Sequence, residues 1–290
     1  MRKAGIGSPY SSLSRVHWSL TVQTVLAPHC SDCLTELGDG LSATSELPVA
    51  RRERFFVYLS WLFVLIAIGG FIPTYWSPLI NGTFGGKPVL HVHGAAMLAW
   101  VGLYAWQVNL VANRQVAHHR AWGMAGVAVL TAVAFTIVLS AINSMKVAGG
   151  IGLRDQALAF SIVSLSGLAV IAVLVALAVR NTGKPDVHKR LMTLSFVPLL
   201  EAPMARPFQV LMTPPGVVGP PPVFVTVLPS LVVDLIIVAL LVYDKRTLGR
   251  FHPVTLWSGG AIIAVQVLCI PLSGTPAWMA IARFVESLAG

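Results

Sequence analysis

Six ionisable side chains lie within or at the mouths of apolar runs: His93, His119, His188, Glu201, Arg206 and Asp234. In such places imidazoles can ligate a haem iron, carboxylates can carry protons, and a guanidinium can hold an anion. At about 2.5 to 3.5 kcal/mol each, leaving Glu201, Arg206 and Asp234 unpaired in hydrocarbon would cost on the order of 8 to 10 kcal/mol. They must therefore be paired or hydrated. A salt bridge from Arg206 to one carboxylate is one solution, and it leaves the other carboxylate without a cation. Glu201 and Asp234 fall near mid-membrane and are the candidate proton relay.

Spacing decides which of these groups can act together. With a 100° step per residue, His93, Met97, Trp100, Tyr104 and Gln107 fall within about 40° of one line. They form one helix face, and His91 points the other way. Helix packing accounts for Met97, Trp100 and Tyr104, and an interhelical hydrogen bond for His93 and Gln107. A second line holds His188, Met192, Ser195, Ala202 and Arg206, although Pro203 and Pro207 in EAPMARP should kink its outer half. The stretches HHRAWG, with His118, His119 and Arg120, and VHKRLM, with His188, Lys189 and Arg190, open two spans from the same side. As plain interfacial anchors they need no further role. As a site, His119 and His188 would ligate a haem iron from neighbouring helices, with Met192 as an alternative axial ligand. Basic residues would then meet the propionates, and Gly123 or Gly126 would admit the ring.

The elements that must position these groups are membrane helices. Hydrophobic residues make up 56% of the 290, charged residues 11%, and mean hydropathy is +0.77, against roughly 25% charged in soluble domains. The net charge of +9 is split into short clusters between apolar runs, which argues against nucleic acid binding. Seven spans are expected, at approximately 55–76, 90–112, 121–145, 157–179, 188–212, 221–243 and 253–272, each near the length needed to cross a bilayer. The last contains Gly259, Gly260, Gln266 and Pro271, and a tilted or partly re-entrant course is open for it. Twelve Lys and Arg fall in the loops of one side and four on the other, which puts the N-terminus in the cytoplasm and the C-terminus outside. Trp76, Trp122, Trp257 and Trp278 sit near expected helix ends.

Residues 1–50 are rich in Ser, Leu, Thr and Gly and lack the apolar core of a secretory signal, so a disordered extension before a bundle over 51–290 is expected. There HCSDC, with His29, Cys30 and Cys33, lacks the second ligand pair of a zinc knuckle. No metal beyond a haem iron is expected. Cys269, in the last span, is read as a small buried apolar residue.

His93, Gly94, Gln107, then His119, Arg120 and Gly123, then His188, Arg190 and Met192 followed by Arg206, make an ordered pattern over about residues 90 to 210. In this the chain resembles a family of uncharacterised bacterial multi-pass membrane proteins. The resemblance implies a helical bundle in a cell membrane, the inner membrane for a bacterial source, and no particular activity. A looser likeness to transmembrane b-type cytochromes rests on histidines near both faces. It stops short of a second haem, because His91 shares a helix with His93 and faces away. The clustered histidines of membrane di-iron oxygenases, the H-x-x-x-H pair of seven-span zinc hydrolases, a phosphate loop and a nucleophile elbow are all absent.

Three functions compete on these residues. The first is a redox protein binding b-type haem or quinone between the second, third and fifth spans, with proton uptake through Glu201 or Asp234. The second is a proton-coupled carrier in which Arg206 holds an anion. The third is a non-catalytic subunit or assembly factor, for which a membrane-protein partner or a second copy of the chain is expected.

Overall fold

The computed structural model describes residues 49–214 and 219–289. The expected disordered extension and its His29, Cys30 and Cys33 lie outside the described residues. Within them all regular structure is helical: α1 (Val49–Gly69), a π-turn (Ile72–Trp76), α2 (Ser77–Ile80), α3 (Pro88–Ala112), α4 (Val116–Gly149), α5 (Arg154–Arg180), α6 (Pro185–Leu194), α7 (Phe196–Met212), a 3-10 turn (Val223–Thr226), α8 (Val227–Leu248), α9 (Pro253–Leu272) and α10 (Pro276–Ser287). Pro88, Pro185, Pro253 and Pro276 open their helices, where the missing N–H would have no helical partner anyway. Gly249, at φ 68°, ends α8 in the left-handed conformation that glycine tolerates best.

Six helical stretches among the described residues are long and apolar enough to cross a membrane: Arg54–Ile80, Pro88–Ala112, Val116–Gly149, Arg154–Arg180, Val223–Leu248 and Pro253–Leu272. Apolar side chains such as Leu65, Phe135, Leu235 and Val267 remain exposed around them, a surface suited to acyl chains. Two sequence expectations change here. The last span, expected to be the weak one, is a continuous helix with Pro271 in its final turn. The break falls instead in the expected span 188–212, which divides at Ser195 into α6 and α7. Pro198 supplies the reason: it has no N–H for the carbonyl of Leu194. Ser195 stays near helical geometry, at φ −63° and ψ −16°, so the chain bends and continues.

This bent pair is the centre of the molecule. α6–α7 packs against α1, α5, α8 and α9, and every residue from Arg190 to Leu200 is buried except the half-buried Met192 and Pro198. A helix covered on all sides is a core element. Two polar rungs set its register. Toward the basic loops, Arg190 donates to Asp244 through Nε at 2.9 Å and Nη2 at 2.5 Å, and Asp244 accepts the hydroxyl of Thr255 at 2.5 Å. Eleven residues further along α6–α7, Gln266 donates to Glu201 at 2.7 Å and to Asp234 at 3.1 Å. Eleven residues complete about three turns and about 16 Å of rise, so α6–α7 and α9 run antiparallel to α8 along most of its length. Where α7 meets the end of α1, a side chain at Gly70 would collide with the carbonyl of Pro203. That carbonyl is the one Pro207 leaves without a helical donor, so the kink is closed by packing.

Beyond the last expected span the chain forms one more helix. α10 lies against α4 and α5, held by a 2.5 Å ion pair between Arg154 and Glu286 and by Trp278 donating to the carbonyl of Leu158 at 3.0 Å. At twelve residues it is too short to register as a span.

Two predictions follow from the basic end. Arg190 is 1% exposed and Asp244 0%, so removing Arg190 strands a buried carboxylate at about 3 to 5 kcal/mol, whereas removing Asp244 leaves Arg190 only the exposed Asp186 at 3.4 Å. Arg190→Met or Asp244→Asn should lower the thermal midpoint in detergent sharply, and Arg190→Met with Asp244→Leu should recover most of the loss. A double variant no better than the singles would discard the pair as the pin. Beside it, His252 Nδ1 accepts the N–H of Val254 and caps α9. Burial first, then the charge of Arg190, hold this imidazole below its ordinary pKa, with Asp244 and Asp186 opposing. The unfolded chain then binds the proton more readily, so stability is complete above the ordinary histidine value of about 6.5 and declines as pH falls through it. The midpoint should drop between about pH 7 and pH 5, and His252→Asn, which keeps a capping oxygen, should flatten that slope.

Candidate functional site

α4 begins after a turn in which Arg114 takes a positive φ of 59°, and this carries His119 toward His188 on α6. Their ring centres lie 6.2 Å apart and the planes stand at 87°. His188 Nδ1 lies 2.9 Å from the carbonyl of Ala178, a bond that requires the proton on Nδ1 and leaves the Nε2 lone pair free. Such a carbonyl partner is the usual orienter of a metal-binding imidazole. His119 Nδ1 is buried with no hydrogen-bond partner, as are Trp100 Nε1 and Gln107 Oε1 on α3. At metal–nitrogen distances of about 2.0 Å, two imidazoles bound to one ion from opposite sides bring their ring centres to roughly 6 Å.

The stretch of α4 around the pair is open rather than packed. From Val116 to Ala132, α4 buries no residue at all. A Cβ added at Gly123 would meet nothing within 4 Å, and one at Gly126 only Leu103 at 3.7 Å and Trp100 at 3.9 Å. The charge of Arg120 reaches His119, and Lys184 is exposed at the entry to α6. Arg190 is held by Asp244 and Lys189 pairs with Asp186 at 2.6 Å, so neither is free for a propionate. Met192 packs against the core one turn from His188.

Glu201, Asp234 and Gln266 form a second centre. Glu201 and Gln266 border a cavity of about 20 Å³ that Ser166, Ser230 and Cys269 also line, enough for about one water and far too little for a macrocycle. Cys269 lies 3.2 Å from the hydroxyl of Ser166, so it has a polar partner beyond its expected packing role. Among the described residues no Lys or Arg forms an ion pair with Glu201 or Asp234. The expected alternative, a salt bridge from Arg206 to one of them, is not made. Five residues separate Glu201 from Arg206, about 140° around a helix, so the two point to different neighbours.

Arg206 belongs to a third group. Its Nη1 donates to Gln209 Oε1 at 2.9 Å, its guanidinium lies 5.6 Å from the centre of the Phe71 ring, and its Nε is buried without a partner. Its charge reaches His93, whose Nδ1 is 3.3 Å from the hydroxyl of Thr136. His91, on the other side of α3, pairs with the hydroxyl of Tyr75 at 2.7 Å.

The expected site residues thus divide. His119 stands with His188, Glu201 with Asp234 through Gln266, and Arg206 with His93. His93 does not join the other histidines, because the fourteen residues from it to Gln107, whose backbone bonds His119, take up about 21 Å of α3. Trp100 and Tyr104 of the predicted stripe face inward: Trp100 stacks on Phe196 with ring centres 6.0 Å apart, and Tyr104 lies tilted against the same ring at 4.3 Å. Tyr104 also pairs with the hydroxyl of Thr193 at 2.8 Å. Ala202, expected in line with Arg206, is exposed, since Pro198 and Pro203 disturb the helical count. Gln266 and Asp244 were the functional and structural partners missed. Gln266 was visible as an amide inside an apolar span, whereas Asp244 was hidden among the basic residues of YDKR.

No family model, curated protein or solved structure matches this chain.

Proposed function

We propose that this multi-pass membrane protein is a redox protein of the cell membrane, in which His119 and His188 hold a b-type haem between α4 and α6. The observation that carries the reading is the facing imidazole pair, with His188 oriented by the Ala178 carbonyl and His119, Trp100 and Gln107 left with unbonded polar atoms. A haem there would supply one-electron chemistry. The chain's own part is to fix the two ring orientations, to meet the propionates with Arg120 and Lys184, and to admit the ring edge at Gly123 and Gly126. The Glu201 and Asp234 carboxylates, joined only by a neutral amide, provide the proton site. Burying both as anions costs far more than keeping a proton on one of their oxygens.

The purified protein, expressed with haem precursor supplied, should show a Soret band and a reduced α-band. His119→Ala and His188→Ala should each remove most of the signal, while His93→Ala should leave it. A colourless protein, or a band indifferent to both alanines, would discard the haem. Extractable quinone in that colourless protein would retain a redox role, and its absence would favour the proton-coupled carrier, for which the carboxylate pair without a cation is the supporting observation.

This reading places α6–α7 across the membrane as one bent span, the fifth of seven, with the basic loops in the cytoplasm and α10 on the outer surface. The register of the two rungs along α8 supports it. Single cysteines introduced at Asn181 and Gly274 into a chain with Cys30, Cys33 and Cys269 replaced should label from opposite sides of sealed cells, Gly274→Cys from outside. Labelling of both from one side would require α6–α7 to re-enter.

A further inference from the structure

We infer that Arg206 anchors a separate oxyanion site near the ends of α3 and α7, which takes a carboxylate or phosphate on the Nε–Nη2 edge of its guanidinium. The edge is identified by elimination. Of the guanidinium donors only those on Nη1 are used, by Gln209, and Nε is buried with no partner. Nε and Nη2 together form the side-on fork that matches two oxygens of one anion. The Phe71 ring lies 5.6 Å from the guanidinium on one side, which leaves the Nε–Nη2 edge as the unsatisfied part of the group.

Among the described residues no group meets this demand. Glu201 and Asp234 are both engaged by Gln266, and no carboxylate among the described residues is paired with Arg206. A guanidinium kept in an apolar bundle without a counter-charge is among the most expensive arrangements a membrane protein can hold. An anion from outside the chain removes that cost. Two hydroxyls without partners lie on the elements beside it: Thr74 Oγ1 on the π-turn that begins just after Phe71, and Ser140 Oγ one turn beyond the Thr136 that holds His93. The π-turn itself is an irregularity frequent at functional sites. Arg206 is six residues from the end of α7 and His93 five from the start of α3, which puts the site within about 9 Å of the helix ends. Either a dissolved anion or a lipid headgroup phosphate can reach that depth.

The inference stands apart from the haem reading, since His93→Ala and Arg206→Lys leave His119 and His188 intact. The test is thermal unfolding of the detergent-purified full chain titrated with sodium acetate and with inorganic phosphate, sodium chloride holding ionic strength constant, beside native mass spectrometry for retained phospholipid. A saturable rise in midpoint with either salt, weakened about tenfold or more in half-saturation by Arg206→Lys, identifies a dissolved anion. No response to the salts, with phospholipid retained by the wild type and lost from Arg206→Lys, identifies a headgroup phosphate. Gln209→Glu provides the control if the lysine variant fails to fold: it places a carboxylate beside the guanidinium and should compete with either ligand by a similar factor. Equal salt response and equal lipid retention in wild type and variants would overturn the site.

Discussion

The Arg190–Asp244 pair is the constraint on which the rest of the bundle depends. Apolar helices in a bilayer have little to choose between one register and another, because lipid tails are as apolar as leucine. A guanidinium and a carboxylate, almost wholly removed from solvent and supported by the hydroxyl of Thr255, permit only one alignment of α6, α8 and α9. Once that rung is set, the helical rise delivers Glu201, Asp234 and Gln266 to a common level three turns away. The second rung is thus a consequence of the first, and the register of three helices is fixed at two heights by five polar side chains and a threonine.

The same constraint explains why the bend in α6–α7 is tolerated. With the α6 end pinned, Pro198 can release one helical hydrogen bond and redirect α7 without losing the pairing below it. α7 then closes on α1, where the absence of a side chain at Gly70 lets the two backbones meet at Pro203. The freed carbonyl is covered by protein, which is the condition for irregular backbone at membrane depth. Redirected in this way, Arg206 points toward α3 and the π-turn, and Glu201 remains with α8 and α9.

Much of the architecture was legible because membrane spans are written in length and hydropathy alone. The inward aim of Trp100 and Tyr104 followed from spacing. What escaped the sequence was pairing. Nothing local in YDKR says that its aspartate turns inward, since the partner lies fifty-four positions earlier at Arg190. Ala202 failed for a related reason: a constant angular step assumes an unbroken helix, and three prolines between 198 and 207 deny it. α10 escaped because an amphipathic helix of that length looks like neither a span nor a loop, and nothing near Glu286 points to its partner Arg154, 132 positions earlier.

The two rungs differ in kind, and that difference has a mechanical consequence. The lower joins a fixed cation to a carboxylate, and breaking it leaves both charges buried. The upper joins two carboxylates through one neutral amide, whose strength depends on whether those carboxylates carry protons. Protonation of Glu201 or Asp234 therefore changes the attachment of α7 while the attachment of α6 is unaffected. Because Arg206 lies on the far side of that attachment and His188 on the near side, the proposed proton site would act on the arginine end of the bundle and leave the imidazole pair in place.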